Sequence, residues 1–210
     1  MGARDSVGVV AHATRDRTMA AFDASLPSVP RSGRGVSARP RSDAALVRDA
    51  CRGSAAAWEA LFARHWPQAY RAAYLVVHDA AAAEDAAQEA FVAAAAALER
   101  FDRRRPFAPW LHRIAVNRAI DHARRAARRH EAGGGAPGEA GGWDPAAPDD
   151  GLLGELRALS PEHRAVVVLR YVLDWTPGEI AAALDLPRGT VNSRLRRALD
   201  VLGRRLEESG

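Results

Sequence analysis

T-P-G-E-I-A-A-A-L-D-L-P-R-G-T-V-N-S-R-L-R-R-A-L-D-V-L-G-R-R, residues 176–205, decides how this chain folds, because it spells two helices joined by a short turn. Thr176 is placed to cap the first helix, Pro177 has its fixed φ at the first helical position, and Glu179 completes a capping box. Ile180, Ala181 and Leu184 turn an apolar face inward before Asp185, Leu186 and Pro187 stop the helix. A second helix starts near Arg188. On it Val191, Leu195, Leu199 and Leu202 face a core, while Asn192, Ser193, Arg196 and Arg197 stay outside. The pair reads as a helix-turn-helix. Its outward face suits the major groove of DNA, where arginine forks and an asparagine amide meet base edges or phosphates.

Upstream of this stretch, Leu152, Leu153, Leu156 and Leu159 mark one helix, and Ser160-Pro161 caps and opens another that runs through Val166, Val167, Leu169, Tyr171 and Leu173. Ala-Val-Val-Val-Leu is rich enough in β-branched residues to read as a strand, but its cap and helical neighbours predict helix. Before these lies His130 to Gly151, with five acids, no arginine and a Gly/Pro/Ala composition. That is a flexible linker, with a root-mean-square span of roughly 25 Å. Its glycine run lacks the Gly-Lys-Ser/Thr of a phosphate loop, and Trp143 stands there alone.

The first half predicts four more helices. Ser42 caps one through Leu46, Val47 and Ala50, and Gly53 separates it from a second that Ser54 caps. Trp58, Leu61, Phe62, His65 and Trp66 recur on the second at helical spacing, and Tyr70, Ala73, Tyr74 and Val77 resume after Pro67, which is expected to kink or interrupt it. Asp79 caps the third, from Ala80 to about Phe101, with Ala83, Ala87, Ala90, Phe91, Ala94 and Leu98 as its buried stripe. Glu84, Asp85, Gln88 and Glu89 cluster on or near its other side. A solvated face is the ordinary reading of such a cluster; docking on a basic protein surface is the functional one, and no histidine lies in register for a carboxylate metal site. Pro109 opens the fourth helix, with Trp110, Leu111, Ile114, Ala115 and Ala119 on its packed side. Arg113, Asn117, Arg118, Arg124, Arg125, Arg128 and Arg129 make its other side basic, suited to a nucleic-acid strand, although arginines in a last turn are also favoured by the helix dipole.

Charge position carries more than net charge. The chain of 210 residues has a formal charge of +4 and no lysine, a bias that codon usage in a GC-rich genome explains. Yet Arg100 to Arg129 holds ten arginines against two acids, directly after Asp79 to Glu99, which holds five acids and no arginine. Two different partners are implied, a polyanion and a basic surface. Cys51 is the only cysteine, which excludes an intrachain disulfide, and no Cys/His cluster has zinc spacing. No run of about 18 apolar residues and no signal-peptide core is present, so a soluble, cytoplasmic protein without membrane insertion is expected. Residues 1–42 have the composition of a disordered tail; Met19 within it fits either a start assigned too far upstream or a basic arm.

The expected fold is all-α: two small helical domains joined by a flexible linker, the second containing the helix-turn-helix. The boundaries expected are 1–42 for the tail, 43–129 for the first domain, 130–151 for the linker and 152–210 for the second domain.

A-E-D-A-A-Q-E-A-F at 83–91, F-A-P-W-L-H-R-I-A-V-N-R-A-I-D at 107–121, and L-S-P-E-H-R-A-V-V-V-L-R-Y followed by the helix-turn-helix occur in this order around a linker. In that order they resemble the sigma factors of bacterial RNA polymerase, specifically the compact extracytoplasmic-function type, over nearly everything from Asp43 onward. The resemblance implies that Glu84, Asp85, Gln88, Glu89 and Phe91 bind the β′ coiled coil of core RNA polymerase, with β as a further contact. It implies that the fourth helix and the loop before it open and read the minus-ten element of promoter DNA, through Asn117 flanked by Trp110, Arg113 and Arg118. Asn192, Ser193, Arg196 and Arg197 would face the minus-thirty-five element, with Arg188 and Thr190 near its phosphates. An anti-sigma factor is a further partner of the family, and no catalysis, cofactor or metal is implied. Two positions depart from the family pattern. A basic residue is common where Asn192 stands, and a glycine where Asp185 stands, so the turn must accept Asp in a left-handed conformation. A stand-alone helix-turn-helix regulator is the alternative, and it leaves the acidic helix and the Trp110–Asn117 motif without a role. An enzyme using Glu84, Asp85 and Glu89 lacks a nucleophile, metal cluster or cofactor loop to go with them.

Overall fold

The computed structural model describes residues 41–131 and 155–208. The predicted tail up to residue 40, the body of the predicted linker with Trp143, and Leu152 and Leu153 lie outside the described residues. Every regular element among the described residues is helical, without a strand: α1 (Asp43–Ala50), α2 (Ala55–Val77), α3 (Ala80–Ala97) with a 3₁₀ turn at Leu98–Arg100, α4 (Phe107–Glu131), α5 (Pro161–Val167) continued by a π turn at Val168–Val172, α6 (Pro177–Leu184) and α7 (Arg188–Glu208).

The caps stand where the side-chain chemistry put them. Ser42, Ser54, Asp79 and Ser160 each accept a hydrogen bond from the backbone N–H three residues on. At α6 the capping box is complete, with the Glu179 carboxylate receiving the Thr176 N–H at 2.7 Å. Asp185 ends α6 in the left-handed region, φ 52° and ψ 51°, and its N–H reaches the Ala181 carbonyl, so the turn does accept Asp there. Pro67 does not interrupt α2, which runs through it as one helix. Proline removes one ladder donor, but Leu61 and His65 before it and Ala69, Ala72 and Ala73 after it are all buried, and that packing holds both halves in line. α4 starts two residues before Pro109, because an N–H is not required in a first turn.

The valine run is helical, with a widened end: the Leu173 N–H bonds the Val168 carbonyl, five residues back. On α7 the buried stripe is Val191, Leu195, Ala198 and Leu202, so Leu199, expected inside, is only half-buried and Ala198 takes its place. α6 buries Ile180 and Ala183, with Ala181 and Leu184 half-covered.

Two apolar cores result. One joins α1 to α4 through Leu46, Leu61, Phe91, Phe107 and Leu111. The other contains residues of both helical domains: Leu75, Val76, Val116 and Ile120 of α2 and α4 meet Leu156, Val166, Leu169, Ile180, Val191 and Leu202 of the last helices. Full burial of each such aliphatic side chain stabilises by about 1.5–3 kcal/mol. α3 is built for close approach, since Ala83, Ala86, Ala87, Ala90 and Ala94 are fully buried and carry no side chain beyond Cβ. The two domains thus share a seam in which α2 and α4 provide one wall.

Candidate nucleic-acid interface

Three surfaces carry the sequence-marked residues. On α3, Glu84, Asp85 and Gln88 are exposed, and the Gln88 amide donates to Glu84 at 3.0 Å. Glu89 is turned sideways onto α4, with one carboxylate oxygen 3.1 Å from His122 Nε2 and the other 3.6 Å from Arg118 Nε. Phe91 does not belong to this surface. It is 3% exposed, with its ring 4.7 Å from Phe62 and 6.1 Å from Trp58, because position 91 falls on the alanine stripe that faces the core. It supports the acidic face from beneath. Val92, one residue on, is 71% exposed and lies one turn beyond Gln88 on the same outer side.

On α4, Trp110 is half-buried against Phe101, ring centroids 4.6 Å apart, and against Phe107 at 5.7 Å. Arg113 is exposed. Asn117 is half-buried and its Nδ2 donates to the carbonyl of Ala183, 3.2 Å away on α6. Arg118 meets Glu89 as above, and Arg124 Nε donates to Glu162 Oε1 at 2.8 Å. Burial alone would raise the Glu162 carboxyl, but its hydrogen bonds from Arg124 and Ser160 and from its own backbone outweigh that and hold it below the usual range. The loop before α4 and the start of α1 enclose an apolar hollow of about 130 Å³ beside Phe101 and Phe107, with Arg103, Arg105 and Asp43 at its edge.

Two histidines are buried in the same domain. His65 Nε2 is 2.9 Å from Asp43, and its pKa is lowered by burial, which outweighs the opposing pull of Asp43. His112 is pushed down to about 4 by burial and by His65.

On α7, Arg188, Asn192, Arg196 and Arg197 are exposed, and Thr190 and Ser193 are half-buried. Ser193 donates its hydroxyl to the Thr190 carbonyl at 2.9 Å, so its oxygen is left as an acceptor. His163 of α5 is lowered by burial and then by Arg194 and Arg197 of α7. Among the described residues no group of three His, Cys, Asp or Glu could hold a metal ion.

Arg164 was not marked by the sequence as a contact residue, and it is the most buried cation described here, 7% exposed. Its guanidinium donates to the carbonyls of Leu156 and Leu159 at 2.9 Å, to that of Arg157 at 3.2 Å, and to the Val76 carbonyl of α2. The available signal was an arginine in helical register with the buried Val167 and Val168.

The profile of Sigma-70 region 2 matches residues 61–129, and that of Sigma-70 region 4 matches residues 150–202. The chain is 36% identical over 175 residues to "ECF RNA polymerase sigma factor SigL" of Mycobacterium tuberculosis, covering 79% of this chain and 98% of that protein. The chain belongs to the ECF sigma factors of RNA polymerase. "ECF RNA polymerase sigma factor SigW" of Bacillus subtilis is 30% identical over 155 residues, 66% of this chain and 83% of that protein. Among solved structures, CnrH in complex with the cytosolic domain of CnrY is similar at 31% identity and a TM-score of 0.60, over 81% of this chain and 100% of CnrH. RpoE of Bartonella quintana, with the anti-sigma factor NepR, shares the fold at a TM-score of 0.57 and 22% identity, over 71% of this chain and 96% of RpoE. As a sigma factor the chain directs promoter-specific initiation together with RNA polymerase. No helix among its described residues is long and apolar enough to cross a membrane.

Proposed function

We propose that the sigma factor divides its work among the three surfaces. Glu84, Asp85 and Gln88 dock on the β′ coiled coil of core polymerase, with Val92 as the apolar patch of that surface and Glu89 at its edge. Trp110, Arg113, Asn117 and Arg118 open and read the minus-ten element, with the apolar hollow beside Phe107, lined also by Arg103 and Arg105, to take an unstacked base. Asn192, Ser193, Arg196 and Arg197 enter the major groove of the minus-thirty-five element, with Arg188 and Thr190 on phosphates at the start of α7. The domain boundaries that go with this reading are 43–129 and 152–210, with residues 130–151 as the connection.

The observation that carries the reading is that an exposed acidic face on α3 and an exposed Arg/Asn face on α7 stand on different domains of one chain. A DNA-binding regulator has use for the second and none for the first. The chain catalyses nothing itself and works in the cytoplasm. Strand opening draws on binding energy for flipped bases, which offsets an unstacking cost of a few kcal/mol per base. NepR, the partner in the RpoE structure, is an anti-sigma factor, and a protein of that kind is proposed for this chain also.

Purified protein is to be captured on core polymerase and the transcripts started on genomic DNA sequenced. Binding to core and a shared upstream motif among the start sites are expected. A chain that binds DNA as a dimer and ignores core polymerase would overturn the reading in favour of a stand-alone regulator.

A further inference from the structure

The hollow at the start of α1 is apolar except at its rim, and the rim carries both signs of charge. Val47, Phe101 and Phe107 are buried around it. Arg103 and Arg105 reach it from the loop before α4, and Asp43 from the first turn of α1. The arginines fit a strand of phosphates; the carboxylate repels one. An acid in a first turn suits the helix dipole, but this one is held more firmly than the dipole requires. Arg64 Nη1 donates to one carboxylate oxygen, and His65 Nε2 lies 2.9 Å from the other. Arg64 is itself tied down, since its Nη2 donates to the Arg41 carbonyl at 2.8 Å. His65 is buried with its ring 5.3 Å from that of Phe107, so the group that fixes the carboxylate is continuous with the wall of the hollow. A carboxylate has about four lone-pair sites. Arg64 and His65 engage one on each oxygen, which leaves each oxygen able to accept again. Asp43 is half-buried, and its acceptor is oriented before any ligand arrives.

We propose that Asp43 selects the base that enters the hollow, accepting a hydrogen bond from an exocyclic amine and so favouring adenine, cytosine or guanine over thymine. The proposal rests on the reading of the hollow as the seat of an unstacked minus-ten base. A carboxylate accepts and does not donate, as it does toward the amine of cytosine in a groove. Thymine has no amine. Its single N3–H is flanked by carbonyl oxygens on both sides, and an oxygen set against the carboxylate finds no donor there. The two signs on the rim thus divide the work, the guanidinium groups holding the strand and the carboxylate reading the base. Arg64 and His65 are positioning residues that act through Asp43.

The full chain with core polymerase, on a promoter identified from its own transcripts, tests this. 2-Aminopurine set at successive non-template positions of the minus-ten element brightens where a base unstacks. Ala44→Trp, at an exposed position on the edge of the hollow, should abolish that signal for the base that enters it. At that position the natural base is exchanged for each of the other three and for its analogue without the exocyclic amine: purine for adenine, 2-pyrimidinone for cytosine, hypoxanthine for guanine. Thymine and the amine-free analogue should each lower the yield of open complexes about tenfold with the unsubstituted protein. That comparison needs no variant to fold. Asp43→Asn keeps the shape and one acceptor oxygen and adds an amide donor for a thymine carbonyl, so it should narrow the gap to within about threefold. Equal yields with and without the amine, a preference for thymine, or a gap that Asp43→Asn leaves unchanged overturns the proposal, the last making Asp43 a tie between α1 and α2. If no position brightens, or none loses its signal to Ala44→Trp, the reading of the hollow itself falls and the selection with it.

Discussion

The two basic helices, α4 and α7, are made of similar residues and are in opposite states. α7 presents Asn192, Arg196 and Arg197 to solvent, and its apolar side is filled by its own domain. α4 has Asn117, Arg118 and Arg124 each engaged by another part of the chain. Groove reading asks only that a helix be rigid and projecting, which a capped helix-turn-helix supplies alone. Strand opening asks for a surface that accepts unstacked bases, and such a surface is partly apolar. An apolar surface left open is covered by whatever packs against it, and here the chain supplies the cover. On the proposed division of work, the contrast follows from the chemistry of the two tasks.

The largest test removes the residue that joins the two states. Arg164→Met keeps the length and the apolar stem, but leaves carbonyls of Leu156, Leu159 and Val76 without their donor. A loss of about 3–5 kcal/mol in urea unfolding is expected, because several buried carbonyls lose their donor and each acceptor left unpaired costs about 1–3 kcal/mol. An unfolding midpoint and slope equal to those of the unsubstituted protein would show that water replaces the guanidinium and that the seam does not depend on it.

Acid should act on the first domain and its side of the seam. His112 is held down to about 4 by burial and by His65, and His78 to about 3 by burial, Arg164 and Arg157. Both folded values lie below the unfolded value of about 6.5, so the unfolded chain binds protons that the folded chain refuses, and stability falls as pH drops through about 6.5. At pH 5 each histidine should have removed about 2 kcal/mol. Denaturant melts at pH 7.5 and pH 5 check this, with His112→Gln expected to remove its share of the difference. Arg164 itself, lowered to about 10 by burial and by Arg157, stays charged across that range, so the seam's cation is not the group that responds.

Much of this contrast was written in the sequence, and the remainder was not, for a physical reason. Caps, turns and amphipathic stripes are local, and Thr176, Glu179, Asp79 and Ser160 behave as their chemistry dictates. The likeness of 83–91, 107–121 and 159–205 to sigma-factor motifs named the residues expected on the three surfaces. What a helix buries against is decided by other helices. The apolar side of α4 was legible, but not that part of it faces the second domain, so Asn117 read as an open residue. Phe91 has the same origin: the acidic residues around it mark a surface, yet helical register turns it to the core. Pro67 was expected to kink or interrupt α2, and no interruption occurs, because the local cost of proline is legible and the burial on either side that outweighs it is not.

The smaller tests separate the helices by function. Arg196→Ala should weaken initiation at promoters with the cognate upstream element by about 1–3 kcal/mol, the worth of a bidentate base contact. Transcription rates across upstream-element variants would read it, and a rate indifferent to those variants would remove Arg196 from base reading. Asn117→Ala should leave core binding unchanged and lower the yield of permanganate-reactive open complexes. Loss of core binding with this variant would make Asn117 a structural residue, held by Ala183 for the sake of the fold.

The smallest effect is at the entry of the helix-turn-helix. Thr176→Ala deletes the hydroxyl that receives the Glu179 N–H at 3.3 Å and also frees the Glu179 carboxylate from one of its donors. Loss of a cap of this kind costs about 1 kcal/mol. Because α6 packs against α7, and Ala183 of α6 also accepts from Asn117, the substitution should loosen both the exposed Arg/Asn face of α7 and the contact at Asn117. A fall in thermal midpoint alone, with upstream-element preference and the inter-domain distance unchanged, would mean that the cap serves only the stability of α6. Weaker preference together with a more open free chain would mean that a single short helix sets the state of both DNA-reading surfaces.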